Sequence, residues 1–196
     1  MKRAILTLCL VFVGIQAYCQ DKSKGELNIN FSKGTSEILS SQLEGAGSYD
    51  GDGFYSIGLS YLKPLNSWLD IETGVNYAKH NVNVTSHLHS EHGGRSFSRS
   101  NLQTLSVPVT FRANFLKYLF VNFGAVADFE AKHSILDNQS GIGAVAGIGF
   151  KYDFTPQVSA FVNPYLQQHA IIPFRPESHQ QRMLDLGVRV GVGFKL

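Results

Sequence analysis

The densest run of potential ligands in the chain is His87-Leu88-His89, followed by Glu91-His92. Imidazoles and a carboxylate at that spacing suit a divalent metal such as Zn²⁺ or Cu²⁺, so His87, His89 and His92 are the metal-ligating candidates. A polar loop whose histidines merely keep it soluble accounts for the same residues. Ser86 and Ser90 stand beside His87, His89 and Glu91, the residue types of a hydrolytic triad. A triad needs groups held on separate rigid supports, whereas these share one stretch of chain, so no catalytic residue is assigned. Asp70, Glu72 and Asp128 have the types for paired acid–base work. Facing Arg112, Lys151 and Arg189, they are better read as an ion network, because buried charges must pair. Gly141-Ile142-Gly143-Ala144-Val145-Ala146-Gly147 misses the dinucleotide-binding spacing and has no helix after it. Asp50-Gly51-Asp52-Gly53 is a fragment of a calcium loop without the later ligands, and turn chemistry explains it. No cofactor is expected.

The elements that carry these residues share one period. Past Asp21, apolar residues alternate with polar or small ones, which is strand periodicity. The last segment is the plainest: Leu184, Leu186, Val188, Val190, Val192, Phe194 and Leu196 fall on one face, opposite Asp185, Gly187, Arg189, Gly191, Gly193 and Lys195. The same split runs through Leu69–Tyr77, Leu105–Phe115, Leu119–Phe129 and Ile142–Tyr152. Weaker versions lie at Leu27/Ile29/Phe31, Tyr55/Ile57/Leu59/Tyr61 and Val158/Ala160/Val162, making eight strands in all. Tight turns at 64–67, 116–117 and 155–156 alternate with longer polar connections at 34–52, 85–100, 131–138 and 170–181. That is the signature of an up-and-down meander. All seven histidines are expected at or beyond the long-loop ends of the strands.

Before the first strand, Met1-Lys2-Arg3 is a basic start and Ala4–Ile15 an apolar run, too short to span a membrane as a helix and suited to a secretory leader. Ala17 and Cys19 place cleavage after Cys19, so residues 1–19 are expected to be a signal peptide and 20–196 the folded domain. Lipidation of Cys19 is disfavoured by Tyr18 and Gln16, since a lipobox wants a small residue and a leucine there. Both cysteines, Cys9 and Cys19, lie in the leader, so no disulfide staples the fold. With 17 Lys+Arg against 15 Asp+Glu among 196 residues, there is no electrostatic reason to expect nucleic acid.

The decisive question is which solvent each face meets. A lipocalin-like ligand carrier also has eight strands, but its apolar face points inward and its outer face is polar. Here the less apolar face carries Gly124, Gly143, Gly147, Gly149, Gly187, Gly191 and Gly193 together with Asp70, Glu72, Arg112, Asp128, Lys151, Asp185 and Arg189. Small residues with charges of both signs suit a narrow interior in which a few long side chains pair across the lumen. Tyr61, Trp68, Phe115, Tyr118, Tyr152 and Phe154 lie beside the short turns, where an aromatic girdle would meet headgroups. The expected fold is all-β, an eight-stranded antiparallel up-and-down transmembrane β-barrel. Such closure leaves no unpaired backbone edge in lipid.

Tyr61-Leu62-Lys63-Pro64-Leu65, Trp68-Leu69, Gly74-Val75-Asn76-Tyr77 and Leu105-Ser106-Val107-Pro108-Val109, behind a leader ending Cys-Gln, resemble the PorT-like outer-membrane β-barrel proteins of the Bacteroidota. The resemblance covers most of residues 20–196 and implies a small barrel in the bacterial outer membrane. It transfers no activity residue by residue. The C-terminal strand also resembles the assembly signal of such barrels, although Phe194 stands two places before the terminal Leu196. The functional expectation is a non-enzymatic, monomeric barrel with a side-chain-filled lumen, lipid around it, and loops open to an extracellular or envelope partner. The alternatives are a loop-based metal or partner binding module and a periplasmic lipocalin-like ligand carrier.

Overall fold

The computed structural model describes residues 25–39, 48–86, 96–132, 139–174 and 182–196. Eight strands follow one another: β1 (Glu26–Leu39), β2 (Ser48–Pro64), β3 (Leu69–Ser86), β4 (Ser96–Phe115), β5 (Leu119–Lys132), β6 (Gly141–Asp153), β7 (Val158–Pro173) and β8 (Arg182–Lys195). Each pairs antiparallel with its sequence neighbours, and β8 returns to β1, closing the barrel in the order β1 to β8. The closing seam runs in register from Glu26↔Lys195 to Leu39↔Arg182. A 14-residue strand such as β1 extends about 46 Å at 3.3 Å per residue. Tilted by 35–45°, it rises roughly 33–38 Å, enough to cross an apolar band of about 25 Å.

The two faces are inverted relative to a water-soluble core. Ile57, Leu59, Phe123, Ile148, Leu186 and Val188 all lie on the outside and are exposed. Glu26, Asn28, Glu72, His80, Arg112, Asp128 and Asp185 are buried inside. Apolar outside and polar inside is what lipid demands of a closed sheet.

Short turns close one end. Asn66 Oδ1 accepts hydrogen bonds from the backbone N–H groups of Trp68 (3.0 Å) and Leu69 (2.8 Å), an Asx-type turn. Thr155 Oγ1 accepts from the Gln157 N–H (3.3 Å) and the Val158 N–H (3.0 Å). Leu116 adopts φ 54° at the turn between β4 and β5. Trp68 and Phe154 are exposed at this end, and Tyr118 stacks on Tyr152 with centroids 5.8 Å apart. The start of β1 and the end of β8 meet here too, the Leu196 N–H donating to the Gly25 carbonyl at 2.8 Å.

Several strands outrun their alternation. The longer connections narrow to 40–47, 87–95, 133–140 and 174–181, because β1 continues to Leu39, β3 and β4 reach Ser86 and Ser96, and β7 runs to Pro173. Asp50-Gly51-Asp52-Gly53, expected as a turn, is part of β2, with a register shift between Gly51 and Phe54. A second irregularity lies between Ile142 and Ala144 opposite β7. There Ala170 takes φ 45°, and His169 and Ala170 are buried in succession, which breaks the alternation.

Candidate functional site

The lumen holds three layers of charge. Nearest the short turns, Lys151 Nζ lies 2.5 Å from Glu26 Oε2, and Ser159 Oγ donates to Glu26 Oε1 at 2.9 Å. Lys195 pairs with Asp153 at the rim, 2.7 Å apart. These groups border a vestibule of about 460 Å³ that opens at this end.

The second layer is centred on Arg112. Its Nη2 is 2.6 Å from Glu72 Oε2, and Ser60 Oγ donates to Glu72 Oε1 at 2.7 Å. The guanidinium lies 4.3 Å from the centroid of Phe120 and 5.4 Å from that of Phe161. Two glycines make this possible. A Cβ at Gly149 would run into the Phe120 ring, and one at Gly191 into the Phe161 ring. Asp70, expected among the ion pairs, instead accepts a hydrogen bond from Asn114 Nδ2 at 2.7 Å. Arg189 lies over Tyr165, 4.6 Å from its centroid.

The third layer, toward the long connections, is the densest. His80 on β3 and His169 on β7 both direct Nε2 at Asp185 Oδ2 on β8, at 2.9 and 3.0 Å. The other ring nitrogen of His169, Nδ1, is 2.9 Å from Asp128 Oδ2 on β5. Ser36 Oγ donates to Asp185 Oδ1 at 2.7 Å, and Ser106 Oγ donates to Asp128 Oδ1 at 2.5 Å. His80 packs against Phe54 with centroids 5.2 Å apart, and among the described residues His80 Nδ1 has no hydrogen-bond partner. His80, His169, Asp128 and Asp185 are all buried.

This layer corrects the expectation that every histidine sits at or beyond the long-loop ends. His80 and His169 are inside the barrel. The phase of β3 (Asp70, Glu72, Asn76, Ala78) carries His80 inward, and that phase was readable in the sequence. His169 shares the phase of Tyr165 and Gln167, but Pro164 and the following bulge obscure it. His87, His89 and His92, with Ser90 and Glu91, lie outside the described residues, and nothing in the structure bears on their geometry. The anticipated ion network is present in Glu72–Arg112 and in Lys151, whose partner Glu26 was not anticipated.

The arrangement does not make a nucleophile. Ser106 donates to the carboxylate of Asp128 rather than to an imidazole, whereas an activated serine needs the base on its own oxygen. The space beside His169 and Asp185 is about 10 Å³, the volume of one water.

A closed antiparallel barrel with an apolar outside, a charged inside and an aromatic rim defines a small integral protein of the bacterial outer membrane. The sequence agrees: residues 5–164 match the profile of the outer membrane protein beta-barrel domain, and the chain belongs to that family. Among solved structures, the outer membrane protein OprG from Pseudomonas aeruginosa is similar, with 14% identity and TM-score 0.58 over 89% of this chain and 96% of that one. Ail, the attachment invasion locus protein of Yersinia pestis, aligns at 12% identity and TM-score 0.43, covering 90% of this chain and 100% of that one. At such identities the likeness to OprG is one of fold. No curated protein sequence matches the chain.

Proposed function

We propose that this protein is a non-enzymatic barrel with a side-chain-filled lumen that anchors surface loops for contact with an extracellular or envelope partner. On this reading residues 1–19 are a signal peptide, the chain is one of the PorT-like proteins of the Bacteroidota, and it works as a monomer. The observation that carries the reading is the occupied lumen. Arg112, Phe120, Leu102, Met183, His80 and His169 are large side chains with almost no exposure. Arg112 and Phe120 lie toward the short turns and His80, Leu102, His169 and Met183 toward the long connections, so they fill the barrel at more than one level rather than forming a single constriction. Eight strands enclose only enough space for such side chains. The closed seam supports the monomer, since no backbone edge is left for a second copy.

Planar-bilayer recording of the refolded protein tests the central point. The expected record is a flat baseline with at most small, infrequent steps. A stable pore of about nanosiemens conductance, the scale of a water-filled porin lumen, would overturn it.

A further inference from the structure

The third layer has more ligand chemistry than an ion network needs. We propose that His80, His169 and Asp185 form a divalent-metal site, selective for Zn²⁺-like borderline cations, inside the barrel. Three observations converge on it. First, the ligand atoms are already gathered: His80, His169 and Asp185 each offer one ligand atom within 4.8 Å of the others, and both Nε2 atoms face Asp185 Oδ2. The two nitrogen–oxygen separations are 2.9 and 3.0 Å. Ligands held about 2.0–2.1 Å from a tetrahedral zinc are about 3.3 Å apart, so accepting the ion needs movements of only a few tenths of an ångström along those edges.

Second, the supporting residues are those that metal sites use. His169 Nδ1 faces Asp128 Oδ2 at 2.9 Å, and that carboxylate is itself held by Ser106 Oγ. A carboxylate on the far nitrogen fixes the proton on Nδ1 and leaves Nε2 as the ligand. Ser36 Oγ occupies Asp185 Oδ1, so Oδ2, which already faces both Nε2 atoms, is the coordinating oxygen. Asp128 is therefore a positioning residue, not a ligand.

Third, there is room for one more ligand. The cavity of about 10 Å³ touching His169 and Asp185 takes a single water, which would complete a four-coordinate site of two imidazoles, one carboxylate and water. On binding, any proton that His80 or His169 carries on Nε2 leaves to solvent, and the ion takes its place against Asp185. Because the three ligands are buried, loading accompanies barrel closure rather than following it.

The test is metal content after refolding into detergent micelles with Zn²⁺ present, followed by exhaustive dialysis and elemental analysis. Folded protein is identified by its heat-dependent gel mobility. The wild type is expected to retain about one zinc per barrel. A His87→Ala/His89→Ala/His92→Ala variant should retain the same amount, which separates the lumen from the loop histidines. Asp185→Asn and His80→Gln should each lose at least about tenfold in retained zinc, and Asp128→Asn should lose about 10–100-fold in affinity. His80→Gln guards against misfolding, because it leaves the Asp128–His169–Asp185 chain intact. Folded wild type holding no zinc would overturn the proposal. So would zinc that disappears with the three loop histidines, or zinc that folded His80→Gln retains in full.

Discussion

Glu72→Gln should be among the most damaging isosteric changes in this protein. The substitution keeps the side chain's shape but removes the charge facing Arg112 Nη2 at 2.6 Å. Arg112 is buried, and among the described residues its Nε and Nη1 have no hydrogen-bond partner. Glu72 is thus the counter-ion of a guanidinium otherwise stacked on Phe120 and Phe161. Two unit charges about 4 Å apart attract by about 4 kcal/mol at an effective dielectric of about 20. Stranding one member of a buried pair typically costs about 3–5 kcal/mol, and the two estimates agree. Equilibrium urea unfolding in lipid vesicles would read the loss, with Trp68 fluorescence and gel mobility as independent probes. At the m-values of small proteins, the midpoint should fall by more than about 1 M. Arg112→Met should cost a comparable amount, and the double variant should lose at least about 2 kcal/mol less than the two singles added together. If Glu72→Gln costs under about 1 kcal/mol, or the two changes simply add, then the pair does not hold the middle of the lumen and the argument fails.

The other predictions concern the two faces and the rim. Val190 faces outward between Phe31 and Val162, so Val190→Arg should cost roughly 2–4 kcal/mol near the bilayer midplane; an unchanged urea midpoint would mean that the faces are misassigned. Gly149→Val should push Phe120 off Arg112 and cost about 1–3 kcal/mol by overpacking, a loss the same titration detects. Trp68, the single tryptophan, should be quenched more by lipids brominated near the headgroup than by those brominated at the chain ends. The reverse order would remove the aromatic rim from the interface.

The barrel was legible in the sequence wherever the two sides of the sheet meet different solvents. In β8, β5 and β6 one side meets lipid and the other a packed polar interior, so period 2 is unmistakable. The contrast fades toward the long connections. Gly34-Thr35-Ser36 in β1 and Ser98-Arg99-Ser100-Asn101 in β4 have little apolar character on either side, so the pattern there predicts loop where the structure has strand. His80 is obscured for the same reason: a histidine near the polar end of a strand looks like a loop residue unless the phase from Asp70 and Glu72 is carried forward. The bulge at Ala170 has no sequence signature of its own, since neither His169 nor Ala170 is a residue that bulges require. Partner choice across the lumen was less legible still. Which acid meets which base depends on shear and stagger, and these set Lys151 against Glu26 and leave Asp70 to Asn114.

The seam between β1 and β8 gives the third layer a further meaning. Every other strand pairing joins neighbours in the chain, but Ser36 and Asp185 are 149 residues apart, and His80 and Asp185 are 105 apart. The cluster draws on β1, β3, β4, β5, β7 and β8, so no single hairpin brings all of it together. Ser106–Asp128 and His169–Asp185 lie between neighbouring strands, but Ser36–Asp185, His80–Asp185 and His169–Asp128 exist only once the sheet has closed on itself. An unfinished barrel would therefore carry a cluster of unpaired charge on its inner surface as well as two open edges. The polar interior is thus complete only in the closed barrel.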